Sequence, residues 1–239
     1  MLAVSLAAPV HLHAQTPPVG AFAQADELYR HRDDFAKARQ AAELYDKGSA
    51  QSFEGAWKLS RAAYWLATEG PEKDRKSWRD KGVKAGELAV TLDASKPEGH
   101  FWLAANLGEV AQNASFLTAW KYPGRIKDQL ELVLKMDPAW QQGSADRALG
   151  QWYFKVPGMS GGDHKKAEEH LRASLRYNPQ SIASLFFLAE VIADDDNRRN
   201  EAKPLLQQVI DLPVDPAWVP EDTQFKKKAA ALLGKLDKR

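Results

Sequence analysis

The chain has no cysteine. Disulfides, thiolate metal sites, cysteine nucleophiles and lipid attachment through cysteine are therefore excluded. Net charge is nearly absent too: 33 Lys and Arg stand against 32 Asp and Glu among 239 residues, a formal charge of +1. A balance of that kind draws the chain neither to nucleic acid nor to an anionic membrane, so a partner must be chosen by shape or local chemistry. Apolar runs long enough to cross a bilayer are missing. No run alternates apolar and polar residues between hairpin turns, which removes the strand signal. What remains is 44% hydrophobic residues, eight Trp and 13 Pro, enough to bury a core and to punctuate it.

The prolines carry the organisation. Pro97, Pro138, Pro179 and Pro216 follow one another at intervals of 41, 41 and 37 residues, and helix-period apolar residues fill the gaps. A period of that size marks a repeat of helical hairpins. The interval ending at Pro179 holds Leu149, Gly150 and Tyr153, then Ala167, Leu171 and Ser174, in the tetratricopeptide order. The small pair Gly150 and Ala167 predicts close approach of two helices, with Tyr153 and Leu171 filling the space beside it. Leu185, Leu188, Ala189 and Ile192, then Ala202, Leu206 and Val209, repeat the pattern. Leu103, Ala104, Ile126, Leu130 and Val133 precede it, Trp57, Tyr64, Ala85 and Ala89 come earlier, and Ala38, Ala42 and Tyr45 mark one more copy. The fold expected is all-α: a tetratricopeptide-like α-solenoid of about five hairpins, closed by a C-terminal helix bearing Ala229, Leu232, Leu233 and Leu236 that shields the last repeat from water.

The start, MLAVSLAAPVHLHAQTPPVG, is apolar from Leu2 to Val10 and reads as the later part of a secretory signal peptide cut after Ala14. Residues 1–14 would then be removed. Residues 15–20 form a linker held extended by Pro17 and Pro18, and 21–239 form a single repeat domain. The expected location is the periplasm or the exterior.

Two hairpins have enlarged turns: Gly150 to Ala167 is 17 residues, against about 12 in the standard pattern, and Ala104 to Ile126 is 22. The loop VPGMSGG is such an insertion, with Asp163 placed to cap the helix that follows. It has neither the G-x-x-x-x-G-K-[ST] nor the G-x-G-x-x-G spacing of a phosphate cradle. Asp163, His164, Glu168 and His170 are the residues a metal-dependent enzyme would use, but only His164 and Glu168 share a helical face, and a catalytic zinc needs about three protein ligands. An exposed charged face accounts for them. Asp194, Asp195 and Asp196 lack the glycine and distal glutamate of a calcium loop and read as a turn. Asn113-Ala-Ser115 matches a glycosylation sequon in helical context, and Lys226 to Lys228 form a solvated face. No motif calls for a cofactor.

The tryptophans are the leading candidates for a site. Trp57, Trp65, Trp102 and Trp152 belong to first helices, the helices that line the concave side of a stacked array; Tyr153 adjoins Trp152, and Trp120 lies in the longest insertion. Aromatic side chains at helical spacing build either repeat core or a pocket for a peptide or an apolar molecule.

The runs AWKLSRAAYWLA, GHFWLAANLGE, ALGQWYFKVPGMSGGDHKKAEEHLRASLRYNP and LPVDPAWVPED resemble the bacterial envelope tetratricopeptide proteins of the TatT type, the partner components of TRAP transporters. The same order of elements is similar to the eukaryotic regulator-of-microtubule-dynamics proteins. The TatT resemblance implies a periplasmic helical protein that self-associates, docks a substrate-binding component of a transporter, and holds or passes an apolar ligand. The lack of a lipid-anchor cysteine departs from that pattern. The expected function is non-enzymatic protein binding with an apolar ligand in the concave face; a chaperone-like peptide clamp is the alternative within binding.

Overall fold

The computed structural model describes residues 20 and 22–238. The signal-like segment 1–14 and, apart from Gly20, the linker 15–20 lie outside the described residues. Among the described residues every regular element is helical: α1 (Ala23–Arg30), α2 (Phe35–Ser49), α3 (Phe53–Thr68), α4 (Glu72–Leu92), α5 (Pro97–Gln112), α6 (Phe116–Ala119), α7 (Pro123–Met136), α8 (Ser144–Lys155), α9 (His164–Tyr177), α10 (Ile182–Asp194), α11 (Arg199–Asp211) and α12 (Val219–Leu236). The pairs α1/α2, α3/α4, α5/α7, α8/α9 and α10/α11 are the five expected hairpins. The short α6 occupies the longest insertion, and α12 closes the array.

Local chemistry sets the ends of these helices. Asp34 caps α2 by accepting from the Ala36 and Lys37 amides, Ser52 caps α3, and Asp163 caps α9 by accepting from Lys165 and Lys166 at 2.9 and 3.1 Å. Each cap satisfies amides that the first helical turn leaves unpaired. Pro97 and Pro123 open α5 and α7, where a missing N–H costs nothing. Asn113 ends α5 as its C-cap, with its amide nitrogen 2.9 Å from the Glu109 carbonyl.

Within each hairpin small residues set the helix separation. A Cβ on Gly150 would lie 2.6 Å from Leu171 Cγ and 3.0 Å from the Ala167 carbonyl oxygen, so α8 and α9 meet at the spacing that the Gly150 and Ala167 pair predicts. The apolar core runs from Leu103 to Leu236 through α5, α7, α8, α9, α10, α11 and α12, and a second cluster spans Phe22 to Ala85. Between the two clusters lies a polar knot. Asn106, fully buried on α5, places its Nδ2 3.0 Å from the Ser60 carbonyl, 3.0 Å from Ser60 Oγ and 2.8 Å from the Trp102 carbonyl. Ser60 Oγ in turn donates to the Gly82 carbonyl at 2.9 Å. Three helices, α3, α4 and α5, are thereby pinned at one point.

Only glycine fits at position 82: a Cβ there would sit 1.9 Å from Asn106 Oδ1, and the carboxamide cannot swing away without giving up its bonds to Ser60 and Trp102. Gly82→Ala should destabilise the fold by about 1–3 kcal/mol, the usual cost of forcing extra volume into a packed interior. Urea unfolding would measure it; a cost below a few tenths of a kcal/mol would show that the knot yields freely.

Candidate functional site

The first helices line one continuous groove of about 1070 Å³. Its wall takes Tyr64 and Trp65 from α3, Phe101 and Trp102 from α5, Trp152 from α8 and Phe187 from α10. Tyr64 and Trp102 rings lie 5.9 Å apart, Phe101 and Trp102 meet edge to face at 5.2 Å, and Phe101 reaches Trp140 at 4.9 Å. Ring contacts therefore run from α3 to α5 and on to Trp140, in the turn before α8. Burial pushes the Tyr64 phenol up to about 12, so it stays neutral at physiological pH.

The proposed site residues divide. Trp65, Trp102 and Trp152 line the groove, each no more than 8% exposed, so they serve at once as core and as wall. Trp57 does not line it. It is half-buried, with the Arg61 guanidinium 5.0 Å from its ring. Tyr153 faces α9 and stacks on His170 at 5.3 Å and 11°. Trp120 projects from the insertion at 71% exposure, its indole N–H donating to the Leu117 carbonyl. Trp152 ties that same insertion down, because its Nε1 donates to the Pro123 carbonyl at 2.9 Å.

Closure of the array is the feature that local sequence patterns miss. The last helix does shield the final repeat through Ala229, Leu232, Leu233 and Leu236. Its first turn also reaches back to the first hairpin: Arg32, 3% exposed in the turn between α1 and α2, pairs with Glu221 through Nε at 2.8 Å and through Nη2, and donates to the Ala217 carbonyl at 3.2 Å. Trp65 Nε1 donates to the Arg32 carbonyl at 2.7 Å, and the Trp218 ring lies 6.0 Å from the guanidinium. Residues 189 positions apart thus form a latch between the first hairpin and α12, and Glu221, Trp218, Phe225 and Arg147 belong to the lining of the groove.

The residues considered for metal binding do not converge. His170 Nδ1 lies 2.7 Å from Asp146 Oδ1, while Glu168 is held by Arg198 at 2.7 Å and Arg172 at 2.7 Å. His164 lies 3.5 Å from Asp194 on the next hairpin. Asp195 accepts the Asn197 amide at 2.9 Å, as expected of a turn. Glu168 is a structural joint between α9 and the turn before α11. The bond from Arg198, then that from Arg172, holds its carboxyl down at about 2. A carboxyl lowered in the folded state adds stability that is complete above its ordinary value near 4.5 and is lost as pH falls towards 2. Glu168→Gln should therefore be less stable than the native chain at pH 7, and the gap should close as the pH is lowered through that window. Thermal melts between pH 7 and 2.5 would check it.

Stacked hairpins whose first helices enclose an aromatic groove define a tetratricopeptide-like helical-repeat protein. A thermophilic TPR protein of Thermus thermophilus, known from its crystal structure, has the same fold at a TM-score of 0.65, with 16% identity over 90% of this chain and 98% of that one. Residues 21–169 match the family described as Regulator of microtubule dynamics protein 1-3, and the chain belongs to that family. It is similar to regulator of microtubule dynamics protein 1 of Caenorhabditis elegans, 24% identical over 233 residues that cover 90% of this chain and 98% of the relative. It is also similar to regulator of microtubule dynamics protein 3 of Bos taurus, 26% identical over 173 residues, 70% of this chain and 36% of that protein.

Proposed function

We propose that this protein is a non-enzymatic binding module that engages a protein partner and holds an apolar molecule in its groove. The observation that carries the second part is the aromatic lining, with Tyr64, Trp65, Phe101, Trp102, Trp152 and Phe187 around about 1070 Å³, just above the usual range of organic-ligand sites. The pair between Arg32 and Glu221 fixes α12, whose Trp218 and Phe225 line the groove, against the first hairpin, which supports a binding site of set shape. Helical repeats supply the extended surface that suits a protein partner. An uncharged apolar fluorophore such as N-phenyl-1-naphthylamine should bind saturably and quench tryptophan emission. A strictly linear titration would sink the ligand reading, and displacement by peptides but not by small apolar molecules would favour the peptide clamp.

The TatT-like runs extend this proposal to an exported protein associated with a TRAP transporter, on the support of the signal-like start and the quoted sequence resemblance. Cell fractionation together with affinity capture against a TRAP substrate-binding component tests that extension. Cytosolic recovery without such capture would count against it.

A further inference from the structure

We propose that the two enlarged turns form a docking surface for an anionic lipid bilayer, which Leu117, Trp120 and Met159 enter and which the lysines beside them attract. Met159 is 97% exposed, Leu117 79% and Trp120 71%, the three most exposed large apolar side chains among the described residues. Leu117 and Trp120 stand on the insertion between α5 and α7, and Met159 on the VPGMSGG loop between α8 and α9. Trp152 brings the two insertions together. Its Nε1 donates to the Pro123 carbonyl at 2.9 Å, while a Cβ on Gly161 would lie 3.2 Å from Cη2 of the same indole. Single apolar side chains scattered over a surface need no partner, but large ones gathered on adjoining tips mark a surface that leaves water.

Charge selects the occupant. Residues 113–125 and 155–166, the insertions with their flanks, carry Lys121, Arg125, Lys155, Lys165 and Lys166 against Asp163 alone: five basic and one acidic, in a chain whose formal charge is +1. Asp163 is engaged by the Lys165 and Lys166 amides, Arg125 pairs with Glu87 at 3.0 Å, and Lys165 reaches Glu169 at 4.0 Å. Lys121, Lys155 and Lys166 are exposed and form no salt bridge among the described residues. Protein interfaces are poor in lysine, whereas an anionic leaflet attracts it. Bare apolar tips set among lysines therefore favour lipid over a protein partner.

The tips also enter a bilayer without stranding polar groups. Trp120 donates its indole N–H to the Leu117 carbonyl at 3.0 Å, and the amides of Thr118, Ala119, Lys121 and Tyr122 are bonded within the insertion. In the other loop the Ser160, Gly161 and Gly162 amides are bonded to the Pro157 and Gly158 carbonyls. Donors already satisfied are not orphaned when water leaves, and an indole ring suits the boundary between head groups and acyl chains. Docking of this kind needs no ligand in the groove.

The test is flotation of the full chain with vesicles of phosphatidylcholine and phosphatidylglycerol in equal parts, set against vesicles of phosphatidylcholine alone. Binding to the mixed vesicles should be at least about tenfold tighter and should weaken as salt rises, as expected of lysines at an anionic surface. The combined variant Leu117→Ser, Trp120→Ser and Met159→Ser should bind the mixed vesicles at least about tenfold more weakly, because apolar burial drives the insertion. The apolar start 1–14 is present in both proteins, so any binding it adds cancels in that comparison. Lys121→Gln with Lys166→Gln should narrow the preference for the anionic vesicles. Vesicles brominated on the acyl chains should quench the tryptophan emission of the native chain. Trp120→Phe should bind as well, since it keeps an apolar tip, yet lose most of that quenching.

Failure to float with either vesicle overturns the proposal and leaves the tips to a protein partner. Equal binding of the native chain and the serine variant overturns the docking surface, and equal affinity for the two vesicles overturns its assignment to an anionic bilayer. Quenching that persists in full in Trp120→Phe overturns it as well, because the lipid would then be reaching tryptophans elsewhere. Should the serine variant fail to fold, Trp120→Phe and the lysine pair decide.

Discussion

Arg32→Met lowers the stability of this protein by about 3–5 kcal/mol, the range seen when one partner of a buried ion pair is removed. Arg32 has a side chain only 4% exposed, and its loss strands the Glu221 carboxylate against Tyr29, Trp65 and Trp218. Burial already pushes the Glu221 carboxyl up, with Arg32 pulling it back. Without Arg32 the carboxyl rises further. A carboxyl whose folded value exceeds its unfolded one keeps its proton in the folded state, so its stabilising contribution fades as pH rises through that raised value. The deficit of Arg32→Met should therefore be larger at pH 8 than at pH 5. The double variant Arg32→Met with Glu221→Gln should recover most of the loss. Urea unfolding of the three proteins at both pH values measures this. A deficit independent of pH and unrelieved by the second change would show that the latch contributes packing rather than charge.

Trp152→Ala is expected to cost about 3–5 kcal/mol, as for a large aromatic deleted from a core. Its ring packs edge to face on Tyr153 at 4.9 Å, supports the VPGMSGG loop through Gly161, and holds Pro123 by its indole N–H. Trp120→Ala, at 71% exposure, should stay within about 0.5 kcal/mol of the native chain. The two changes remove the same atoms, so their difference isolates burial. Guanidinium unfolding followed by far-ultraviolet circular dichroism compares them directly. Equal costs would mean that the insertion folds down over Trp120.

Much of this architecture is written locally. The Asp163 cap, the approach of Gly150 to Ala167 and Leu171, and the five hairpins all depend on residues within about one repeat of each other, where helical period and turn chemistry decide the outcome. The candidate site was legible only in part, and the reason is angular. Trp57 and Trp65 share α3, but eight residues at 100° each turn them about 80° apart, so one faces the groove and the other does not. Trp152 and Tyr153 are neighbours in sequence and about 100° apart around α8. Membership of a first helix therefore could not tell wall from filler.

Sequence alone determined that this chain is a row of helical hairpins with its apolar stripes shared between copies, because each two-helix unit exposes a face that only a neighbour can cover. Tertiary structure alone decided that the row curls until Arg32 meets Glu221, and that aromatic side chains from four hairpins line one groove. The curvature sums small rotations at every hairpin junction, the Gly82 and Asn106 knot among them. No local pattern records that sum, so it becomes visible only where the two ends touch.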